Sequence, residues 1–482
     1  MTTSKHRMKN KKKNRIRSKR LKTKTKSLKK GGAAFDKGSY GCVFRPPLQC
    51  KQSFKTEKGF KYISKFMTNV EAEKEISEMK KIKKKLIDSG KDNTFINEYY
   101  ILANEDDICE IDPKLNKKDL TGAAPVKAQD FRNRNTKINC HDIYESFNIV
   151  KNYPHRYRSL NLIDGGSSLH NYLENPLSPE SFNKLNKHLI DLLKNGIYTM
   201  NQLGIYHCDL KPENLVYDDR IRIIDWGFAV IIDSSNKNER EKLEKNIRLF
   251  KILDTMYYGL PFTNVLLIKD IEQEREFFKK LSIEKNKELS IEKKTAPELE
   301  CKEYYKKIYK EPSPSPYFTA LYSITHQTSS RITLTDYAID NLVDVIFSEL
   351  TNETFFYNVF LPNADIFAFL QIYIKIYKAL IGSNQSIINI KEKIINLLYK
   401  YILTTKYAST SFDISEIITD LEQLNTKDQQ QEPETEVSEQ LSQLQINSAG
   451  GISQRKHLRH KHSRRKHLHR KHLRRKHSRR KH

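Results

Sequence analysis

Two runs of sequence decide the fold: HCDLKPENL at residues 207–215 and IIDWG at residues 223–227. They bring two carboxylates, Asp209 and Asp225, into one short stretch with the amine of Lys211 and the carboxamide of Asn214. Oxygen ligands of this kind suit magnesium, which keeps part of its water shell and shares its coordination with phosphate. The spacing predicts a site for magnesium-bound ATP, where charge neutralisation and positioning do most of the chemistry.

The surrounding sequence indicates that these residues belong to a larger folded unit rather than to an isolated turn. A lone His-x-Asp is usually a turn in which the aspartate bonds to its own backbone. Here, residues 182–203 carry apolar side chains at steps of three and four, which predicts an amphipathic helix leading into the loop. Residues 215–217 and 220–224, separated by two aspartates, predict a β-hairpin that ends at Asp225. Helix, polar loop and hairpin form one coherent unit.

An upstream run, FDKGSYGCVF at residues 35–44, is a candidate phosphate-binding loop. Glycines let backbone N–H groups approach phosphate oxygens closely. Asp36 stands where such loops have a first glycine, and two glycines three apart are also common in ordinary hairpin turns. The candidate nucleotide-binding residues of this run are Gly38, Ser39, Tyr40, Gly41 and Val43.

A lysine on the next predicted strand, residues 61–66, is the candidate partner of the α- and β-phosphates. This residue is Lys65. The following segment, residues 70–87, predicts a helix, and its run EISEM at residues 75–79 resembles a segment that carries the ionic partner of such a lysine. We favour Glu75, because Ile76 and Met79 then pack inward beside it, and Glu71 and Glu78 remain alternatives.

Together these motifs resemble the serine/threonine branch of the eukaryotic-type protein kinase superfamily, over about residues 33–230. The divergent style, rich in Asn, Lys and Ile, is similar to protein kinases of giant DNA viruses. The resemblance implies an α+β, bilobal protein-kinase-like fold with a small β-rich N-lobe and a larger helical C-lobe. It also implies ATP and Mg²⁺ as cofactors and a protein hydroxyl as acceptor.

The family's roles carry over residue by residue. Asp209 would accept the proton of the substrate hydroxyl, and Lys211 would neutralise charge on the transferred phosphoryl group. Asn214 and Asp225 would hold magnesium. Lys65, held by Glu75, would pair the phosphates, and the adenine would meet backbone near residues 162–164.

Three positions carry expectations of their own. Cys208 replaces the arginine that pairs with a phosphorylated activation loop, so we expect activity without loop phosphorylation. Trp226, the only tryptophan, stands where phenylalanine is commoner, so its fluorescence should report nucleotide binding. Asp365 resembles the aspartate that anchors the catalytic loop, although a helix N-cap is an equal alternative.

The end of the activation segment has two candidates. One is the literal Ala-Pro-Glu at residues 296–298, and the other, which we favour, is YGLPFT at residues 258–263. The second choice makes residues 268–360 a charged, helical insertion with a repeated LSIEK.

The net charge of +27 belongs to the two ends of the chain. Residues 1–30 and 451–482 each hold fifteen Lys and Arg with no acidic residue, and the remainder has 56 basic against 59 acidic residues. The C-terminal run repeats Lys-His every five residues and contains eight histidines, a pattern that cannot bury a core. We expect disordered tails that bind nucleic acid or another polyanion through counterion release.

The sequence also suggests a location. Six cysteines show neither metal spacing nor disulfide density, which favours a reducing compartment. No apolar secretory core follows the N-terminal charges, and the helix after residue 363 is too short and too lysine-marked to span a bilayer. We expect an intracellular protein (cytoplasm, nucleus or virion) that is neither secreted nor membrane-spanning, and oligomeric state is not predicted.

The expected organisation is listed by residue range: a basic tail (1–30), an N-lobe (31–164), a C-lobe (165–405), a C-terminal helix (406–424), a flexible linker (425–451) and a Lys/Arg/His-rich tail (452–482). An active kinase is the leading hypothesis. A pseudokinase scaffold or nucleic-acid-binding protein and a small-molecule phosphotransferase are the alternatives.

Overall fold

The computed structural model describes residues 33–38, 41–52, 60–112, 156–232, 241, 260–287, 294–308 and 334–425. These residues form an α+β fold with two lobes, a sheet-containing lobe followed by a helical one. The predicted basic tails and residues 426–451 of the predicted linker lie outside the described residues.

The first lobe is built on a five-stranded antiparallel sheet in the order β1-β2-β3-β5-β4. Strand β3 is the central strand and its residues 64–67 are all buried, so Lys65 lies in the middle of the sheet, where it pairs with Val43 on one side and Leu160 on the other. The strands are β1 (Ala33–Gly38), β2 (Gly41–Arg45), β3 (Tyr62–Thr68), β4 (Ile108–Cys109) and β5 (Tyr157–Ile163).

A long helix, α1 (Asn69–Asp88), covers this sheet. Thr68 caps it by accepting a hydrogen bond from the backbone N–H of Glu71. Its buried face follows the helical period and is apolar except for Glu75. A charge on such a face needs a partner, and this need directs Glu75 toward β3. A short helix, α2 (Asn93–Tyr99), follows.

The second lobe is mostly helical. It contains two small antiparallel sheets. One has three strands, β6 (Ser167–Ser168), β8 (Leu215–Tyr217) and β9 (Ile221–Ile223), and the other has two, β7 (Ile205–Tyr206) and β10 (Val230–Ile231). Its helices are α3 (Leu169–Tyr172), α4 (Pro179–Asp191), α5 (Tyr198–Gln202), α6 (Ile271–Asn286), α7 (Pro297–Ile308), α8 (Leu334–Phe347), α9 (Asn352–Phe355), α10 (Leu361–Ala379), α11 (Gln385–Tyr401) and α12 (Ile414–Glu422).

The predicted helix ahead of the catalytic loop is continuous from α4 to α5 through a π-helical stretch, Leu192–Ile197. The extra residue per turn exposes backbone carbonyls to other partners. One of them, that of Gly196, accepts a hydrogen bond from the Tyr100 hydroxyl at 2.8 Å. The segment after α2 is thereby joined to the helix that leads into the loop.

The core helix of the second lobe is longer than the sequence suggests. Helices α9 and α10 are joined by a π-helical stretch, Phe356–Phe360, so that the helical run covers Asn352–Ala379. The expectation that it is too short to span a bilayer is therefore wrong, because its 28 residues suffice by length and composition. However, 83% of its most apolar window is buried against the rest of the protein.

Two further expectations need correction. The C-terminal helix does not fill residues 406–424: α12 begins at Ile414, because the Asp413 carboxylate caps it by accepting from the N–H groups of Ser415 and Glu416. Cys50 and Cys109 form a disulfide, a pair that the expectation of cysteines without disulfide density did not include. Sequence spacing missed this pair because 59 residues separate two positions that the sheet brings together.

Candidate active site

The centre of the site is the amine of Lys65. Its Nζ donates to both carboxylate oxygens of Glu75 at 2.8 Å and lies 3.4 Å from Asp225 Oδ1. The lysine and Glu75 are both buried. Residues from β3, α1 and the turn after β9 thus meet at one point between the lobes.

The two alternatives to Glu75 have other partners. The Glu71 carboxylate accepts from the Thr68 hydroxyl at 2.9 Å, at the first turn of α1. Glu78 lies 3.3 Å from Lys81, one turn further along the same helix. Of the three candidates, Glu75 is the one that the structure places on Lys65.

Burial and charge act against each other in this cluster. Burial by itself would lower the pKa of Lys65, but the carboxylates of Asp225 and Glu75 outweigh it and raise the pKa above its ordinary value. Burial would raise the pKa of Asp225, yet Lys65, His207 and Lys211 lower it. The lysine stays cationic and Asp225 stays ionised at neutral pH, as binding of phosphate and a divalent cation requires.

The candidate catalytic loop, residues 207–214, holds a second group of side chains. Lys211 Nζ lies 2.8 Å from Asp209 Oδ2, and the Asn214 amide donates to the same oxygen at 2.8 Å and to the Asp209 carbonyl at 2.9 Å. The Ile224 N–H donates to the Asn214 carbonyl at 3.0 Å, so Asn214 lies beside the residue before Asp225.

This donor set fits a magnesium ion. The side-chain nitrogen of Asn214 donates to Asp209. Its side-chain oxygen, Oδ1, is therefore the atom that can serve as a metal ligand. Asp225 supplies an ionised carboxylate. Magnesium takes such oxygens one or two at a time and completes its shell with water and phosphate.

Asp365 holds the backbone at the start of the catalytic loop. Its two carboxylate oxygens accept from the backbone N–H groups of His207 and Cys208, each at 2.8 Å. It lies inside α10 and is fully buried, so the alternative of a helix N-cap does not describe it. Sequence analysis missed Asn201, whose amide, oriented to suit its neighbours, donates to Asp365 and to the Ile205 carbonyl at 3.0 Å.

Backbone strain is concentrated at the same place. Among the described residues, the two non-glycine positions with positive φ are Cys208, at 60°, and Asp225, at 65°. This left-handed conformation costs a residue with a side chain on the order of 1–2 kcal/mol. Such strain persists where surrounding contacts over-determine the backbone, as the Asp365 bonds do here.

Trp226 joins the turn that carries Asp225 to the first lobe. Its indole N–H donates to the Ile101 carbonyl at 3.2 Å, and its ring packs edge-on against Tyr100 and His207. The side chain is 1% exposed. Phenylalanine at this position would keep the ring contacts but would lack the donor.

The candidate phosphate loop is partly described. Gly38 and Gly41 face each other at the end of the β1-β2 hairpin, and Val43 pairs with Lys65 across β2 and β3. Ser39 and Tyr40 lie outside the described residues. No sequence motif points to Arg45. Its guanidinium donates to Asp164 Oδ1 at 2.5 Å and to the Gly166 carbonyl at 2.7 Å, and so joins β2 to the segment between the lobes.

The favoured end of the activation segment is described from residue 260. Its Phe262 packs edge-on against Phe367 of α10, the helix that carries Asp365. The literal alternative, Ala296 to Glu298, lies at the start of α7. The preference for residues 258–263 stays a prediction, because residues 258 and 259 are outside the described part.

Comparisons with known proteins agree with this geometry. Residues 132–258 match the protein kinase domain family model. Over 89 residues the chain is 33% identical to the serine/threonine-protein kinase PKH2 of Candida albicans, covering 18% of this chain and 9% of that protein. Calcium-dependent protein kinase 5 of Plasmodium falciparum is 29% identical over 126 residues, covering 25% and 20%.

A third relative, calcium/calmodulin-dependent protein kinase type 1B of Rattus norvegicus, is 33% identical over 82 residues, covering 16% of this chain and 23% of that one. The chain therefore spans less than a quarter of the length of these relatives. The solved kinase domain of PF14_0431 superposes with a TM-score of 0.32 at 10% identity, over 80% of this chain and 93% of that chain.

The family match covers residues 207–227, and the structure brings Asp225 of this stretch to Lys65, which is itself paired with Glu75. Over residues 132–258 the chain is thus similar to the protein kinase domain family.

Proposed function

We propose that this protein is an ATP- and Mg²⁺-dependent serine/threonine protein kinase that transfers the γ-phosphate to a protein hydroxyl. The observation that carries the proposal is the meeting of Lys65 with Glu75 at 2.8 Å and with Asp225 at 3.4 Å. A buried lysine held between two carboxylates is a pre-set cation for a triphosphate that arrives with magnesium.

Each side chain has a task in this proposal. Lys65 binds the α- and β-phosphates, and Glu75 keeps it in place. Asn214 and Asp225 would hold magnesium, which neutralises the phosphate charge. Asp209 orients the acceptor hydroxyl and takes its proton, while Lys211, already 2.8 Å from that carboxylate, is placed to neutralise the transferred group.

The proposal extends to partners and location. The fifteen uncompensated basic residues at each end support binding to nucleic acid or another polyanion. The same charge supports a location with nucleic acid, in the cytoplasm, the nucleus or a virus particle. A pseudokinase scaffold is the alternative function, and Asp36, in place of a first glycine, favours it.

The test is phosphoryl transfer from radiolabelled ATP to a generic protein substrate. Asp209→Asn keeps the shape of the side chain and removes the proton acceptor, so the rate should fall by about 100-fold or more. Asp219→Asn is the matched control, because the same change falls on a hairpin side chain that is 69% exposed.

The outcomes separate the hypotheses. Transfer to protein that is lost in Asp209→Asn and kept in Asp219→Asn supports the kinase. Nucleic-acid binding without any transfer supports the scaffold, and transfer to small hydroxyl compounds alone supports the small-molecule enzyme.

A further inference from the structure

A cluster of charged side chains lies beside the catalytic loop and takes no part in the proposed reaction. The His170 ring nitrogen Nδ1 lies 2.5 Å from Glu213 Oε1 and 2.8 Å from Lys375 Nζ. Lys375 Nζ also donates to Glu174 Oε1 at 2.8 Å. The cluster thus contains two carboxylates, one imidazole and one ammonium group.

Three separate parts of the second lobe supply this cluster. His170 and Glu174 come from α3 and the residues just after it, and Glu213 belongs to the short turn Pro212–Asn214 of the catalytic loop. Lys375 projects from α10, one of whose earlier turns carries Asp365. The helix that anchors the loop therefore also supplies the cation next to it.

The cluster is within reach of a bound substrate. Glu213 follows Lys211 by two residues and Asp209 by four, so its backbone lies within about 14 Å of the proton acceptor even if the chain were fully extended. Three or four residues of an extended peptide span the same length. Side chains that flank the acceptor hydroxyl on this side will meet Glu213 and its partners.

The two carboxylates would attract basic substrate residues if they were free. Instead, both carboxylates have partners. Lys375 is only 17% exposed and contacts Glu174 and His170. The His170 ring contacts Glu213. A partly desolvated ammonium group pairs more strongly with a carboxylate than a fully exposed one does. The lowered pKa of Glu174, due chiefly to its hydrogen bond from Lys375, agrees with this pairing.

We propose that Lys375 sets the substrate class of this enzyme by neutralising the carboxylates beside the acceptor site, Glu174 by direct contact and Glu213 through His170, so that arginine and lysine next to the target hydroxyl bring no advantage. This inference rests on the proposed kinase activity and refines it. The preferred peptides carry neutral or acidic residues next to the acceptor.

The experiment compares three serine peptides that differ only in having arginine, alanine or glutamate at the two positions on each side of the acceptor. The measured quantity is kcat/KM for each peptide, expressed as the ratio of the arginine to the alanine peptide. Wild type should give a ratio of about one or less. Lys375→Met, which keeps the length of the side chain and removes its charge, should raise the ratio about tenfold, or about 1.4 kcal/mol.

Three further variants make the result specific. Lys375→Arg keeps the charge and should keep the wild-type ratio. Glu174→Gln added to Lys375→Met should remove the gain, because the carboxylate that Lys375 contacts directly is then gone. Lys279→Met, on α6 and outside the cluster, makes the same chemical change at a half-exposed lysine and should leave the ratio unchanged.

A purely structural role for Lys375 would lower the rates on all three peptides together and leave the ratio alone. That result, or a wild type that already prefers the arginine peptide about tenfold, overturns the inference while the kinase function stands. If wild type phosphorylates no protein or peptide at all, the proposed function is overturned and the inference falls with it.

Discussion

Trp226 connects residue-level chemistry with the arrangement of the two lobes. Its ring lies between Tyr100 and His207, and its N–H reaches the Ile101 carbonyl on the segment that follows α2. That segment is itself held by the hydroxyl of Tyr100 on Gly196. The turn that carries Asp225 is therefore joined to both lobes by one buried side chain.

Replacing Trp226 with phenylalanine tests this connection. The aromatic contacts remain, but the Ile101 carbonyl loses its donor in a buried place, so unfolding should become easier by about 1–3 kcal/mol. Urea unfolding followed by far-UV circular dichroism measures the change. A difference below about 0.5 kcal/mol would mean that the hydrogen bond does not contribute.

Cys208 makes a second prediction at the same scale. A buried thiol cannot pair with a phosphate, and the loop around it is held instead by the Asp365 carboxylate. We expect phosphatase treatment to change the turnover of the purified enzyme by less than about twofold, since charge-assisted pairing with a phosphate plays no part. Turnover that disappears on dephosphorylation and returns on rephosphorylation would refute this.

At the scale of elements, the edge strand β4 is the shortest strand of the five-stranded sheet, with only two residues to pair with β5. The Cys50–Cys109 disulfide fixes it to the chain that follows β2, and the Asn161 amide of β5 faces both sulfur atoms. The bond closes a loop of 59 residues, and constraint of a loop this long in the unfolded chain stabilises the fold by about 2–4 kcal/mol.

The corresponding variant is Cys109→Ser, compared with wild type in the absence and presence of dithiothreitol. Without reductant the variant should be less stable by about 2–4 kcal/mol, and with reductant the two proteins should converge. Equal unfolding midpoints under non-reducing conditions would show that the bond does not form in solution.

Sequence patterns predicted these elements to different degrees. Apolar periodicity predicted helix α1, and motif residues close together in the chain predicted the catalytic loop and the hairpin β8-β9 that follows it. Contacts between distant residues left no such pattern. Lys375 and His170 are 205 residues apart, and Trp226 meets a backbone carbonyl, which any residue type could supply at position 101.

At the scale of the whole molecule, charge is divided between a nearly neutral middle and two basic ends. Deleting residues 452–482 removes fifteen positive charges and should leave phosphoryl transfer unchanged while weakening RNA binding. Full-length protein should lose about 10³-fold in RNA affinity or more between 50 and 200 mM salt, and the truncated protein clearly less. Affinity that does not depend on salt would contradict the assignment of RNA binding to the tails.

The central claim is that side chains from both lobes form one site for magnesium and ATP. Calorimetric titration of Mg·ATP into wild type, Lys65→Met, Asp225→Asn and the double variant tests it most directly. The account predicts magnesium-dependent binding that each substitution weakens, with a coupling of about 0.5–3 kcal/mol between the two, because the groups lie 3.4 Å apart. Absence of binding in wild type, or effects that add to within about 0.3 kcal/mol, would contradict it.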